Sequence, residues 1–205
     1  MWGADVFIDA GALDPRETYR LLVGSVVPRP IAWVTSGITP GPVNLAPFSS
    51  FTWVSQYPAM LGFTVNRRES GVKDTLRNIE RDGEYVVNIA TASQLDQLHA
   101  SSEGFPPDRS EADELGLRLV PSRLVRVPSL ADAPISMECS YDRTIAFSAT
   151  GGDFVVGTVV GWRIDDAVMR GRRIDTQLLD PIARLAGPTY ARLGPMTTLD
   201  PLPGG

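Results

Sequence analysis

Three short stretches hold the residue types that could do chemistry. In "NRRESGVKDTLRNI", residues 66–79, Arg67, Arg68 and Lys73 precede a helical pattern whose first turn offers Thr75 and backbone N–H groups. A helix start furnished with cations and hydroxyls is a ready anion site. Lys73 is the single lysine among the 19 Lys and Arg residues. Since the two cations serve about equally well on a solvated surface, its survival points either to a position where the chemistry is not indifferent or to chance. In "PVNLAPFSSF", residues 42–51, a stretch with the length and apolar content of a strand is interrupted by Asn44, Pro47, Ser49 and Ser50. Pro47 cannot donate to a ladder, so pairing breaks there and nearby backbone groups become free to meet a ligand. In "PRPIAWVTS", residues 28–36, prolines stiffen the entry to a strand that ends in the hydroxyls of Thr35 and Ser36. Singly, each also fits a plainer reading: a bent strand for the second, a solvated loop and helix cap for the first.

Other chemistries are largely excluded. Cys139 is the only cysteine and His99 the only histidine, so intrachain disulfides, Cys/His zinc sites and His-bearing relays within one chain are nearly all excluded. Any redox chemistry must be borrowed from a cofactor. Cys139, in "ISMECSYD", reads as a small buried strand residue, and His99, in "SQLDQLHASS", as a residue on a helix surface or at a helix end. Net charge −5 and a pI near 4.9 leave no footprint for nucleic acid or an anionic membrane. No apolar run approaches the roughly 20 residues of a membrane-spanning helix, and the opening residues lack the basic-then-apolar order of a signal peptide. The expected compartment is the cytoplasm, with no membrane and no nucleic-acid partner.

The elements that must position these residues read as mainly β. "LDPRETYRLL" opens a helix with Asp14 as cap, Pro15 in first position, Glu17 closing a capping box and Gly24 as its end. Strands are expected at residues 31–36, 49–55, 59–65 and 84–90, then at 123–127, 135–141, 144–150 and 153–164, the last two separated by Gly151 and Gly152. Short helices are expected within 73–83, capped by Asp74 or Thr75 and stopped by Gly83, and within 91–98 and 109–116. They lie between strands rather than alternating with each one. That order favours a closed or nearly closed antiparallel barrel with peripheral helices over a doubly wound parallel sheet. Rossmann and P-loop glycine patterns are missing. The chain reads as one domain over 1–205, with fraying expected from about residue 196.

Taken together and in order, the motifs resemble the flavin reductase-like proteins of the FMN-binding split β-barrel fold. The matching positions are Pro28 to Ser36, then Asn44, Leu45, Ala46, Pro47, Phe48, Ser49, Ser50 and Phe51, then Lys73, Asp74, Thr75, Leu76, Arg77 and Asn78. The likeness continues through "EGFPPDRSEADELGL" and "LLDPIARLAGPTYARLG". It implies an antiparallel split β-barrel of Greek-key type and an FMN lying along the segment Asn44 to Phe51. Backbone groups around Ala46 and Pro47 would face the isoalloxazine edge, and Ser49 and Ser50 the ribityl chain and phosphate. Lys73 and Thr75, with Arg67 or Arg68, would complement the phosphate, and Arg29, Thr35, Ser36, Asp74 and Asn78 complete the implied cofactor-binding set. Many relatives have Phe or Tyr where Ser50 stands, which makes Ser49 the firmer ligand.

The implied activity is transfer of electrons from NADH or NADPH through FMN to a flavin or another acceptor, with a homodimer as the working unit and an oxygenase as a possible partner. No catalytic side chain is implied, because the cofactor carries the chemistry. The rivals are an FMN electron carrier without direct NAD(P)H activity and a non-enzymatic split-barrel binding module. Phe51, Trp53 and Tyr57 share one strand parity and suggest core or interface. In the late segment Pro181 is expected to open a helix that Gly187 ends, placing Arg184 and Tyr190 where they would cover a flavin.

Overall fold

The structure, a computed structural model, describes residues 5–67, 71–106, 108–148 and 151–200. Helix α1 (Pro15–Ser25) begins as its sequence dictates: Asp14 accepts from the amides of Arg16 and Glu17, and Glu17 reaches back to the Asp14 amide at 3.0 Å. The chain continues through β1 (Arg29–Pro30), β2 (Ala32–Ser36), β3 (Asn44–Phe48), β4 (Phe51–Gln56), β5 (Ala59–Val65), α2 (Asp74–Asp82) and β6 (Glu84–Ile89). The short helices α3 (Leu95–Ala100) and α4 (Glu111–Glu114), the pair β7 (Leu119–Val120) and β8 (Ser129–Leu130), and the long strands β9 (Ile135–Ala146) and β10 (Asp153–Ile164) follow. Last come β11 (Met169–Arg170), β12 (Arg173–Ile174), α5 (Thr176–Leu179), β13 (Ala183–Arg184) and β14 (Tyr190–Ala191).

Seven of these strands form one antiparallel sheet in the order β3-β2-β6-β9-β10-β5-β4. The sheet curls so that its two ends share one interior, in the manner of a split barrel. Phe48 of one edge strand lies 4.9 Å, ring centre to ring centre, from Phe63 beside the other. Alternation along β2 explains the two faces: Ala32 and Val34 enter the barrel interior with Phe63, Tyr85, Val87 and Cys139, while Ile31 and Trp33 turn outward under α3 and α4. Helix α2 adds Leu76 and Ile79 to the interior. Each large side chain so buried contributes on the order of 2 kcal/mol by leaving water. Gly83 ends α2 in the left-handed region, at φ 73°, which a residue with a Cβ adopts reluctantly.

Several elements differ from the sequence-based expectation. Residues 123–127 form bends, not a strand. Their amides find carboxylates in place of a ladder: Arg123 and Leu124 donate to Glu138, and Arg126 donates to Glu84. Residues 135–141 and 144–150 were expected as two strands, but one strand, β9, runs through to Ala146 with register shifts opposite β10. Pro181 opens no helix. Helix α5 stops at Asp180, φ 41°, and residues 183–184 pair with Arg29 and Pro30 instead. The start of α2 is Lys73, which makes no side-chain cap, with Asp74 and Thr75 already inside the helix. Finally, Phe51 is half-buried against the core but Trp53 and Tyr57 are exposed, and a bulge between Trp53 and Ser55 shifts the parity of β4 before Tyr57. Among the described residues no helix is long and apolar enough to cross a membrane.

Candidate functional site

Strand β3 pairs with β2 on one side and has no strand on the other. In an antiparallel pair the N–H and C=O of one residue point to the same side, and the sides alternate along the strand. The Leu45 amide donates outward to Glu111 Oε2 at 2.8 Å. Leu45 and Pro47 therefore direct their backbone groups to the open edge, and Asn44, Ala46 and Phe48 direct theirs to β2. Pro47 has no N–H, so the edge offers an unaccompanied carbonyl there, followed by the Ser49 amide where the chain bends away from β2.

A trench runs along this edge in three contiguous compartments. The largest, about 660 Å³, lies beside α2 and includes Asn44, Asn78, Arg77, Arg81, Arg109 and Phe105. It shares Asn44, Asp74, Phe105 and Glu111 with a narrow middle compartment of about 50 Å³ that adds Ala46, Pro47, Lys73 and Thr75. Pro47 and Ser102 in turn join that middle part to a third compartment of about 180 Å³, lined by Arg29, Ser49, Arg184 and Tyr190.

The trench thus brings together Asn44, Ala46, Pro47, Ser49, Lys73, Asp74, Thr75 and Asn78, with Arg29 beneath its third part. Asn44 Nδ2 donates to Thr75 Oγ1 at 2.9 Å, so the Thr75 hydroxyl keeps its own hydrogen for another acceptor. Lys73 Nζ stands 5.4 Å from the centre of the Phe48 ring, a cation over an aromatic face. Asp74 pairs with Arg77 across one helical turn.

Other predicted positions lie elsewhere. Thr35 is fully buried on the outer face and donates to the Pro128 carbonyl at 2.7 Å. Ser36 Oγ is buried with no hydrogen-bond partner among the described residues. Ser50 is exposed, and its carbonyl accepts from Thr64. Phe51 packs against the barrel core. Arg67 grips both oxygens of Asp153, at 2.9 and 2.6 Å, and holds that carboxyl below its ordinary range. Arg68 falls outside the described residues.

Arg29 does more structural work than its motif suggests. Its guanidinium donates to the carbonyls of Val23 and Val26 at the end of α1 and of Leu185 beyond β13. One buried side chain thereby ties the first helix, β1 and the C-terminal hairpin together. Cys139 is buried, and burial pushes its thiol up, so it stays protonated. His99, exposed in the last turn of α3, meets Tyr190 Oη at 2.9 Å. Among the described residues no cluster of His, Cys, Asp and Glu could hold a metal ion.

Glu111 was not singled out from the sequence. It is buried, it closes the edge at Leu45, and it lines two compartments. The available signal was Ser110, whose side chain caps the short helix α4 and so points its first residue at the edge strand.

A curled antiparallel sheet with a polar trench along one free edge is a split β-barrel of the ligand-binding kind. The flavin reductase like domain matches residues 23–177, and the chain belongs to that family of flavin-linked oxidoreductases. A protein of Halalkalibacterium halodurans is 39% identical over 198 residues, 94% of this chain and 95% of the relative. Among solved structures, nitrilotriacetate monooxygenase component B from Bacillus cereus superimposes with a TM-score of 0.91 at 33% identity, covering 97% of this chain and 100% of that one. The Pseudomonas fluorescens 2-nitrobenzoate 2-nitroreductase NbaA follows with 0.87 at 31% identity, covering 97% and 98%.

Proposed function

We propose that the trench holds FMN along β3, with the phosphate toward Lys73, Thr75 and the start of α2 and the ring system beside Pro47 and Ser49. The observation that carries this reading is the open edge itself. It presents a carbonyl acceptor at Pro47 and an amide donor at Ser49, the complement of a flavin's pyrimidine edge, next to the single lysine and a nine-residue helix start. Lys73 shares its compartment with Asp74, Glu103 and Glu111, but Asp74 is engaged by Arg77 and Glu111 by the Leu45 amide.

When bound, FMN supplies the redox chemistry, accepting a hydride from NADH or NADPH and passing two electrons on to a flavin or another acceptor. The chain's own part is to bind and orient. The Ser49 amide and the Lys73 charge favour negative charge on what they face, an oriented-dipole effect like that of an oxyanion hole. Similarity to a monooxygenase component B supports delivery of reduced flavin to an oxygenase partner.

The working unit in this reading is a homodimer. Helix α1 buries none of its residues within the chain, and it leaves Tyr19, Leu21 and Leu22 exposed. Strand β4 and the turn after it expose Trp53 (67%) and Tyr57 (95%). Apolar surface of this kind suits a second copy.

Mixing the FMN-loaded protein with NADH or NADPH without oxygen tests the activity. Bleaching of the flavin absorbance by one nicotinamide is expected. A flavin that binds but is bleached by neither would make the protein an electron carrier, and a protein that binds no flavin would make it a non-enzymatic module.

A further inference from the structure

The three compartments of the trench differ in charge. Beside α2, three arginines face Asp74, Asp82 and Glu111, and the middle part sets one lysine among acids. The third compartment contains Arg29 and Arg184 and no carboxylate. These two residues are direct cross-strand partners of β1 and β13, and like charges placed opposite each other cost stability. Among the described residues neither forms an ion pair. In a chain of net charge −5 this is an unbalanced positive site.

The two guanidinium groups are not equivalent. The charge on Arg29 is offset by the last carbonyls of α1, the negative end of a helix. Among the described residues Arg184 has the Gly187 carbonyl, on Nε, and the Tyr190 hydroxyl, on Nη1, and none of them accepts from Nη2. The Tyr190 ring lies under the guanidinium, 4.6 Å from its carbon. Because arginine can only donate, Tyr190 Oη accepts from it, and His99 Nδ1 stands 2.9 Å from the same hydroxyl on its other side. Arg184 is therefore held flat at the cavity with one edge unused, the geometry in which arginine takes an oxyanion.

We propose that this compartment is an oxyanion subsite for the second substrate of the bound flavin, with Arg184 as the contacting residue and Tyr190 and His99 as positioning residues. The oxyanion is a phosphate of the nicotinamide dinucleotide or a carboxylate of the electron acceptor. This rests on the FMN reading, which places the flavin's own phosphate in the middle compartment, at Lys73 and Thr75.

The test is calorimetric titration of the FMN-loaded protein with inorganic pyrophosphate and, separately, with benzoate, for the wild type, Arg184→Gln, Arg184→Lys and Tyr190→Phe. Binding of one probe is expected, and which one identifies the source. Arg184→Gln should weaken it about ten- to a hundred-fold, Arg184→Lys should recover part of the loss, and Tyr190→Phe should weaken it several-fold. The ratio of FMN to riboflavin affinity should not change. Should Arg184→Gln fail to fold, Tyr190→Phe decides by the same titration. Failure of both probes to bind, or equal binding in wild type and variants, would overturn the proposal and leave the FMN reading standing. Loss of the preference for FMN over riboflavin in Arg184→Gln would also overturn it, by placing the flavin phosphate here. A wild type that binds no FMN would refute the underlying reading instead.

Discussion

The two free edges of the seven-stranded sheet are joined by only Ser49 and Ser50, yet they are built for different neighbours. Edge β3 is half-buried and concave, with Pro47 interrupting its donors and Glu111, Lys73 and Thr75 arranged along it. Edge β4 faces solvent and carries exposed apolar side chains, with Trp53 at 67% exposure and Val54 at 42%. An unpaired strand edge invites pairing with another chain unless it is covered or interrupted. The β3 edge is managed by a proline and a carboxylate, which also leave a groove of small-molecule dimensions. The β4 edge has a bulge but no charge on it, which leaves it open to the second copy proposed above.

Breaking the β4 side should give the largest effect. Trp53→Asp would place an unpaired charge in the proposed homodimer interface, costing about 3 to 5 kcal/mol of association, a hundred-fold or more in the dimer constant. Light scattering on dilution should show monomers for the variant and dimers for the wild type. A holoprotein that is monomeric in wild-type form with FMN fully bound would end the assignment of the β4 edge to a second copy.

Lys73→Ala acts on the other edge. Loss of a charge-assisted bond should weaken FMN binding by about 1.5 to 3 kcal/mol, roughly ten- to a hundred-and-fifty-fold, with riboflavin affinity and the dimer unchanged. Fluorescence titration with both flavins checks it.

Asp153→Asn probes whether Arg67 belongs to the trench or to the β5/β10 end of the sheet. Arg67 holds the Asp153 carboxyl below its ordinary range. The stability this pairing adds is therefore complete above the ordinary carboxylate pKa near 4 and is lost as pH falls through the depressed value. The variant should melt a few degrees lower at neutral pH, the gap to wild type should close in acid, and FMN affinity should hold. A loss of FMN affinity would return Arg67 to the site. Smallest of the set, Ser49→Ala should cost about 1 kcal/mol of FMN affinity or less, since a neutral hydroxyl has water as an alternative partner.

The irregularity of the β3 side was legible in the sequence. Proline, asparagine and paired serines inside an apolar run are locally improbable, and the structure sets that run along an open sheet edge, where the proposed site lies. The capping box of α1 and the glycine stop of α2 were equally local and could be read directly. Arg67 was misleading because a loop arginine beside a lysine looks the same whether it faces a ligand or an aspartate 86 positions away. The meeting of Arg29 with Arg184 in the third compartment could not be foreseen for a related reason. Arg29 and Arg184 are 155 residues apart and become neighbours only through the β1/β13 pairing, whose strands are two residues each and carry no periodic signal. Residues 123–127 were misread as a strand because their buried valines alternate as a strand's would, while their amides are satisfied by Glu84 and Glu138.

The central claim is that the β3 edge is an FMN site with its phosphate end at Lys73. Its most direct test is the affinity of the wild-type protein for FMN against riboflavin, which differ only in the phosphate. The account predicts tighter binding of FMN by about tenfold or more, with the difference removed in Lys73→Ala. Equal affinity of the wild type for the two flavins would contradict it.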